Sequence, residues 1–278
     1  MRRSSAVGRL VLVLAALSVI LAGQAAASFS ATTSATTSSS VTSRYERTVL
    51  ADRPAAFLQR GRDITGRGGN GVFVGAYRTT HLPNGDPAVA FAGRGQFLRF
   101  ADRPAFRVTS RGVLTVEYWI RPDTLQFSDE EGSGYVYLLG KGDPGQHEWY
   151  GRMYSRVNAE SRPNRLSGYA FNSSGGLGAG SYFQDAVVLG RWIHVVLVIN
   201  SVHKSRQYPM GYTKIYKNGD LRDKDSLADY DIRPRSGDSP LRIGTGYRDS
   251  FFEGAVGDVA FYKYELSATR VRTHADAM

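Results

Sequence analysis

The sequence predicts an all-β fold, an antiparallel two-sheet sandwich or barrel, and three observations carry that expectation. Apolar residues alternate with a period of two along most of the strand-like segments after Tyr45. Glycine-rich turns separate short runs of aromatic and β-branched residues at near-regular spacing. Only one convincing helix start appears, at Ser267, so a chain of alternating β/α units is excluded.

The first 27 residues stand apart from the fold. MRRSSAVGR carries three arginines, LVLVLAALSVILAG is an apolar run short for a bilayer span, and Ala25 and Ala27 occupy the positions a signal peptidase reads. Residues 1–27 therefore read as a secretory signal peptide. Residues 28–44 are rich in Ser and Thr with almost nothing to bury, the composition of a flexible linker. Residues 45–278 contain no second linker and are long enough for one domain with a sizeable core.

Within that domain the elements follow in order. VAF at Val89 and FLRF at Phe97 are short strands, and VFVGAY at Val72 reads as another. In LTVEYWIRP, Leu114, Val116, Tyr118 and Ile120 share one face, with Glu117 and Arg121 turned away from it. YVYLLG at Tyr135 and RLSGYAF at Arg165 continue the pattern. WIHVVLVIN at Trp192 is nearly all apolar, as expected of a strand covered on both faces. TKIYKNGDL holds Asn218-Gly219 between two strand-like runs, a tight hairpin signal. PLRIG at Pro240 and AVGDVAFYKY near the end complete the strands, and Ser267 caps a short helix in LSATRVRTHAD.

Composition narrows the function classes. There is no cysteine, which excludes disulfides, thiolate metal sites and a cysteine nucleophile. Removing residues 1–27 takes away three arginines and no acid, so the formal charge falls from +10 to +7. That excess is spread along the chain, without a recognition-helix pattern or zinc spacing, and nucleic acid is not an expected partner. The mature protein is expected to be secreted, with no membrane insertion once the signal is cut.

GRGGNG, from Gly66 to Gly71, has the G-x-G-x-x-G spacing of a dinucleotide loop. Such a loop needs a buried strand before it, a helix after it and an acid about twenty residues on. Here AAFLQRGRDIT precedes it, the strand-like VFVGAY follows, and position 91 is phenylalanine. The nucleotide reading fails. Two readings of DITGRGGNG remain side by side: Asp63 makes an Asx-type turn with its own backbone, or Asp63, Asn70 and glycine carbonyls ligate Ca²⁺, which takes six to eight oxygens.

The order of segments resembles the laminin-G-like branch of the concanavalin A-like jelly rolls. The residues that carry the resemblance are VLADRPAAFLQ with DITGRGGNGVFVG, AVAFAGRGQFLRF, LTVEYWIRP, GRWIHVVLVIN, TKIYKNGDL and GAVGDVAFYKYELSATRV. The resemblance implies a two-sheet antiparallel jelly-roll sandwich from Tyr45 to the end. It also implies a structural calcium ion approached by Asp63 of the opening loop and Asp258 of the closing strand, with Asn70. This chain departs from the pattern in having Val259 after that aspartate and Arg67 inside the loop. The alternative for Asp258 is a carboxylate tying strand to loop.

The same sandwich supports glycan-cleaving enzymes, whose retaining members need two carboxylates about 5 Å apart. LTVEYWIRP has Glu117 alone, AVGDVAFY has Asp258 alone, and Asp129, Glu130 and Glu131 cluster in a glycine-rich turn. His194 in RWIHVVL reads as structural, and His147 lacks a recognisable partner. No G-x-S-x-G elbow exists. The chain reads as a non-enzymatic module that binds carbohydrate, an extracellular or cell-wall glycan. The alternatives are a module that binds a surface protein and, further off, a polysaccharide lyase or hydrolase. Flat aromatic faces with planar polar groups suit sugars. The candidates are Trp149, Tyr150, Arg152 and Tyr154 of HEWYGRMYS, Tyr182 of GSYFQD and Tyr247 of GYRDSFFEG, each with burial in the core as its alternative.

Overall fold

A computed structural model describes residues 42–127, 130–132 and 134–278. The expected signal peptide, the linker up to residue 41 and Asp129 of the acidic turn lie outside the described residues.

Helix α1 (Arg44–Ala51) opens the fold and leads to β1 (Ala56–Gln59), β2 (Arg62–Asp63), β3 (Val72–Val74), β4 (Arg78–His81), β5 (Pro87–Ala92) and β6 (Phe97–Phe100). The long central strands follow: β7 (Val113–Pro122), β8 (Tyr135–Lys141), β9 (Trp149–Tyr154), β10 (Leu166–Ala170), β11 (Ala179–Tyr182) and β12 (Ile193–Asn200). The chain closes with β13 (Tyr212–Lys217), β14 (Asp220–Ser226), β15 (Leu241–Ile243), β16 (Glu253–Tyr262) and helix α2 (Ala268–Ala275).

All pairs of strands are antiparallel, and they form two sheets. One has nine strands with the path β14-β13-β12-β7-β16-β1-β2, and the other has seven in the order β11-β10-β9-β8-β15-β6-β3. The expected sandwich is therefore present. Its hairpin at Asn218-Gly219 has both central residues at positive φ, +51° and +89°, which matches the right-handed strand twist.

The period of two sorts the side chains into three apolar layers. Leu114, Val116, Tyr118 and Ile120 of β7 meet Leu138, Trp149, Met153 and Leu166 of the other sheet in the main core. Phe57, Trp119, Val196, Tyr216 and Tyr262 face outward from the nine-stranded sheet and are covered by Tyr45 and Val49 of α1 and Val271 of α2. Tyr135, Tyr137, Tyr150, Tyr154, Tyr169 and Phe171 face outward from the seven-stranded sheet as a separate aromatic cluster.

Helix α1 is a correction to the single-helix expectation. Ser43 caps it by accepting the Glu46 N–H at 3.0 Å, and Ser43 with Glu46 is the S-x-x-E spacing of a capping box. Beneath α1 and α2 lies a buried polar hub. Glu117, on the outward face of β7, accepts from Tyr45 Oη at 2.8 Å and Tyr262 Oη at 2.9 Å. His194 Nε2 lies 2.7 Å from one carboxylate oxygen and His274 Nδ1 2.9 Å from the other. His274 Nε2 in turn lies 2.8 Å from Asp52. Burial pushes the Glu117 carboxyl up, but the charge of His274 and the bonds from both histidines outweigh it and hold the carboxyl well below the usual range. His194 is fully buried in this hub, against Glu117.

Among the described residues, no helix is long and apolar enough to cross a membrane.

Candidate functional site

The outward aromatic layer of the seven-stranded sheet builds a cleft of about 610 Å³. Alternation along β9 places Tyr150, Arg152 and Tyr154 outward and turns Trp149 and Met153 into the core. Antiparallel register then sets Tyr137 beside Arg152 and Tyr169 beside Tyr150. Arg152 rises between the rings of the flanking strands, its Cζ 3.6 Å from the Tyr135 centroid and 4.0 Å from that of Tyr169. A desolvated cation–π contact stabilises by about 2 kcal/mol. Tyr182, from β11, extends the aromatic wall, with Arg162 4.1 Å from its centroid. Tyr247 closes the other end, 5.5 Å from Tyr137 ring to ring.

Hydrogen bonds fix these rings. Tyr154 and Tyr169 share one through their hydroxyls, Arg162 donates to Tyr154 at 3.1 Å, and Tyr135 donates to Glu160. His147 Nδ1 lies 3.2 Å from Tyr150 Oη, which supplies the partner that sequence alone did not show. Burial lowers the His147 pKa and lifts the phenols of Tyr150, Tyr169 and Tyr247 well above their ordinary value. These rings are neutral, oriented donors and acceptors at physiological pH.

Of the sugar-site candidates, Arg152, Tyr182 and Tyr247 line the cleft together. Tyr150 and Tyr154 are fully buried beneath it and support it. Trp149 requires a correction: it is fully buried, packs in the main core, and donates its indole N–H to Phe106 O at 2.9 Å. Sequence reasoning missed Tyr135, Tyr137, Tyr169, Phe171 and Arg162. The signal for the first four was present, since YVY and YAF each space two aromatics by two residues and so set them on one face.

The GRGGNG loop behaves as a turn closed by Asp63. That carboxylate accepts the N–H groups of Phe57 at 2.9 Å, Thr65 at 3.1 Å and Gly68, and the Thr65 hydroxyl at 2.9 Å. Asn70 Oδ1 accepts the Asp63 N–H at 3.1 Å. The glycines are needed for close approach: a Cβ on Gly71 would lie 2.6 Å from the Phe100 ring, and one on Gly68 2.7 Å from Ala56 Cβ. A second recess of about 660 Å³ adjoins this loop, with Arg60, Arg62 and Asp63 on its walls and no aromatic ring.

Asp258 does not join Asp63 and Asn70 in one set of partners. It sits in the bulge of β16 with φ +49°. Its Oδ1 accepts from Gln59 Nε2 at 3.0 Å, while its buried Oδ2 has no donor. Burial raises its pKa well above the usual range, and Asp86, placed to share a proton with it, and Glu46 raise it further. Asp86 accepts from Ser43 Oγ at 2.6 Å and Asn84 Nδ2 at 2.7 Å. Among the described residues, no group of three or more His, Cys, Asp or Glu gathers closely enough to hold a metal. Of the expected ligands, Asp258 keeps a buried oxygen without a donor, and its burial beside Asp86 calls for a proton there.

An antiparallel two-sheet sandwich with an aromatic cleft on the outward face of one sheet is a jelly roll of lectin-like build. The Laminin G 3 profile, which describes the concanavalin A-like lectin/glucanases superfamily, matches residues 92–272, and the chain belongs to that superfamily. No curated protein matches it. Among solved structures, it is similar to domain 4 of AbnA, a GH43 extracellular arabinanase from Geobacillus stearothermophilus, in complex with arabinotriose. That match has 15% identity, a TM-score of 0.58, and covers 80% of this chain and 98% of that one. The binding domain of Paraclostridial Mosquitocidal Protein 1 matches at 14% identity and a TM-score of 0.59, over 82% of this chain and 53% of that one. The receptor binding domain of botulinum neurotoxin C/D mosaic serotype matches at 14% identity and a TM-score of 0.57, over 81% and 51%. This chain thus spans about half the length of the two toxin domains. At such identities the likeness is one of fold.

Proposed function

We propose that this protein is a secreted, non-catalytic carbohydrate-binding module whose sugar site is the cleft on the seven-stranded sheet. The observation that carries the reading is the cleft itself: Tyr135, Tyr137, Tyr169, Tyr182 and Tyr247 line it together with Arg152, giving flat apolar faces with planar hydrogen-bonding groups. A structural neighbour of the same fold is described in complex with arabinotriose, and others are named binding domains of toxins. The leader at residues 1–27 supports export. The test is calorimetric titration against a panel of oligosaccharides, with Tyr182→Ala as the variant. Binding is expected for at least one glycan and is expected to weaken in the variant without loss of folding. A panel with no binder refutes the reading.

A structural calcium ion stays part of the proposal, with Asp258 as its one supported ligand through the orphaned Oδ2. It acts on the stability of β16 and takes no part in sugar contact. Asp63 and Asn70, expected beside it, are bonded within the turn instead.

A second reading, docking on a surface protein, is favoured by the edge at β3. Val72 is 65% exposed there, beside Arg99 in register, and Tyr77 is 41% exposed. Pull-down of a surface protein with no glycan binding favours this reading.

A further inference from the structure

We propose that the sugar bound in the cleft is an acidic one, carrying a carboxylate that Arg152 receives edge-on. The inference rests on the sugar-binding reading and names the class of sugar.

Three lysine or arginine side chains are buried among the described residues: Lys141, Arg152 and Arg242. Lys141 pairs with Glu148 and lies 3.1 Å from Asp102, and Arg242 lies 2.8 Å from Asp143. Arg152 alone has no carboxylate within ion-pair distance among the described residues, and its Nε has no hydrogen-bond partner. A guanidinium does not escape this by losing its proton. A buried charge without a counter-ion is disfavoured unless something supplies one.

The surroundings of Arg152 limit what can supply it. Strands β8 and β10 flank β9, and each contributes a ring against the guanidinium, Tyr135 at 3.6 Å and Tyr169 at 4.0 Å. With rings from both flanking strands against it, the cation offers a ligand its N–H edge. A carboxylate presents two coplanar acceptors and a full charge to that edge, whereas a sugar hydroxyl presents one neutral acceptor. The carboxylates that line the cleft are engaged otherwise. Glu160 accepts from Tyr135 and lies 3.6 Å from Arg162. Asp225 accepts the Ser226 N–H at 3.1 Å, and burial with Asp229 and Asp223 nearby pushes its pKa to about 6. Glu131 likewise has a partner. The aromatic walls favour a pyranose ring as the carrier of the carboxylate over a flexible acidic peptide.

Uronic and sialic acids share this chemistry, and the experiment separates them. The full chain is titrated with an oligogalacturonide, with the same oligomer after carboxyl reduction, and with a sialylated oligosaccharide. One of the two acidic ligands is expected to bind, and the oligogalacturonide, if it is the one, to bind about ten-fold or more tightly than its reduced form, the step expected of a single charge-assisted bidentate pair. Arg152→Gln is expected to abolish the preference, and Arg152→Lys to restore part of it. The comparison of charged and reduced oligomers uses the unaltered protein, so it stands even if the variants fold poorly. Equal or tighter binding of neutral or reduced glycans overturns the acidic class and leaves the sugar site standing. Failure of every glycan to bind overturns both.

Discussion

The replacement His274→Ala tests the polar hub beneath the two helices. The imidazole is fully buried, and both ring nitrogens face carboxylate oxygens, Glu117 at 2.9 Å and Asp52 at 2.8 Å. Both nitrogens must therefore donate, so the ring is an imidazolium. Each such charge-assisted bond contributes about 1.5–3 kcal/mol. Removing the ring leaves Glu117 with Tyr45, Tyr262 and His194, and Asp52 with Arg270. The expected loss is about 3–5 kcal/mol, the usual cost of breaking a buried pair. For a domain of this size that lowers Tm by roughly 6–20 °C. Urea denaturation followed by tryptophan fluorescence measures it. Burial lowers the His274 pKa, but the charges and bonds of Glu117 and Asp52 outweigh it and raise the value overall. A raised folded-state pKa stabilises fully below the unfolded value of about 6.5, and that contribution is lost as pH climbs through the folded value. The wild type should therefore lose stability relative to the variant from about pH 6.5 upward. A loss under about 1 kcal/mol, or parallel pH profiles, would refute the charged bridge.

Other expectations follow from the site. EDTA should lower the melting temperature of the wild type but not of Asp258→Asn; equal responses remove the ion from Asp258. Asp63→Ala should cost roughly 2–4 kcal/mol with or without EDTA, because four donors lose their acceptor, and a chelator-dependent cost would return Asp63 to the metal. Trp149→Ala should cost about 3–5 kcal/mol as a core truncation, whereas Tyr182→Ala should leave the urea midpoint nearly unchanged and weaken sugar binding. Gly71→Ala should destabilise by about 1–3 kcal/mol through overpacking against Phe100; a neutral result contradicts the close approach.

The strands were legible wherever alternation ran long enough to fix a face. LTVEYWIRP and WIHVVLVIN became β7 and β12, paired along eight registered positions. The same rule, applied strictly to WYGRMY, separates Trp149 from Tyr150, Arg152 and Tyr154. Grouping those aromatics by proximity in sequence hid the face that each one occupies. Helix α1 was overlooked because its apolar stripe is only Tyr45 and Val49, although its capping box was readable. The Arg152 cage was beyond reach: its rings come from β8 and β10, and only register brings them together. Asp63 and Asp258 share a residue type, but loop donors satisfy one and strand packing isolates the other.

Glu117 also has an architectural consequence. It is bonded to Tyr45 in the first helix and His274 in the last, on the face opposite the cleft. The two ends of the described fold are thereby stitched to a single side chain. A fusion partner at either end would leave from the back of the sandwich and keep the cleft clear. A circular permutant joining α2 to α1 by a short linker, reopened at the Asn218-Gly219 turn, should retain the cleft intact.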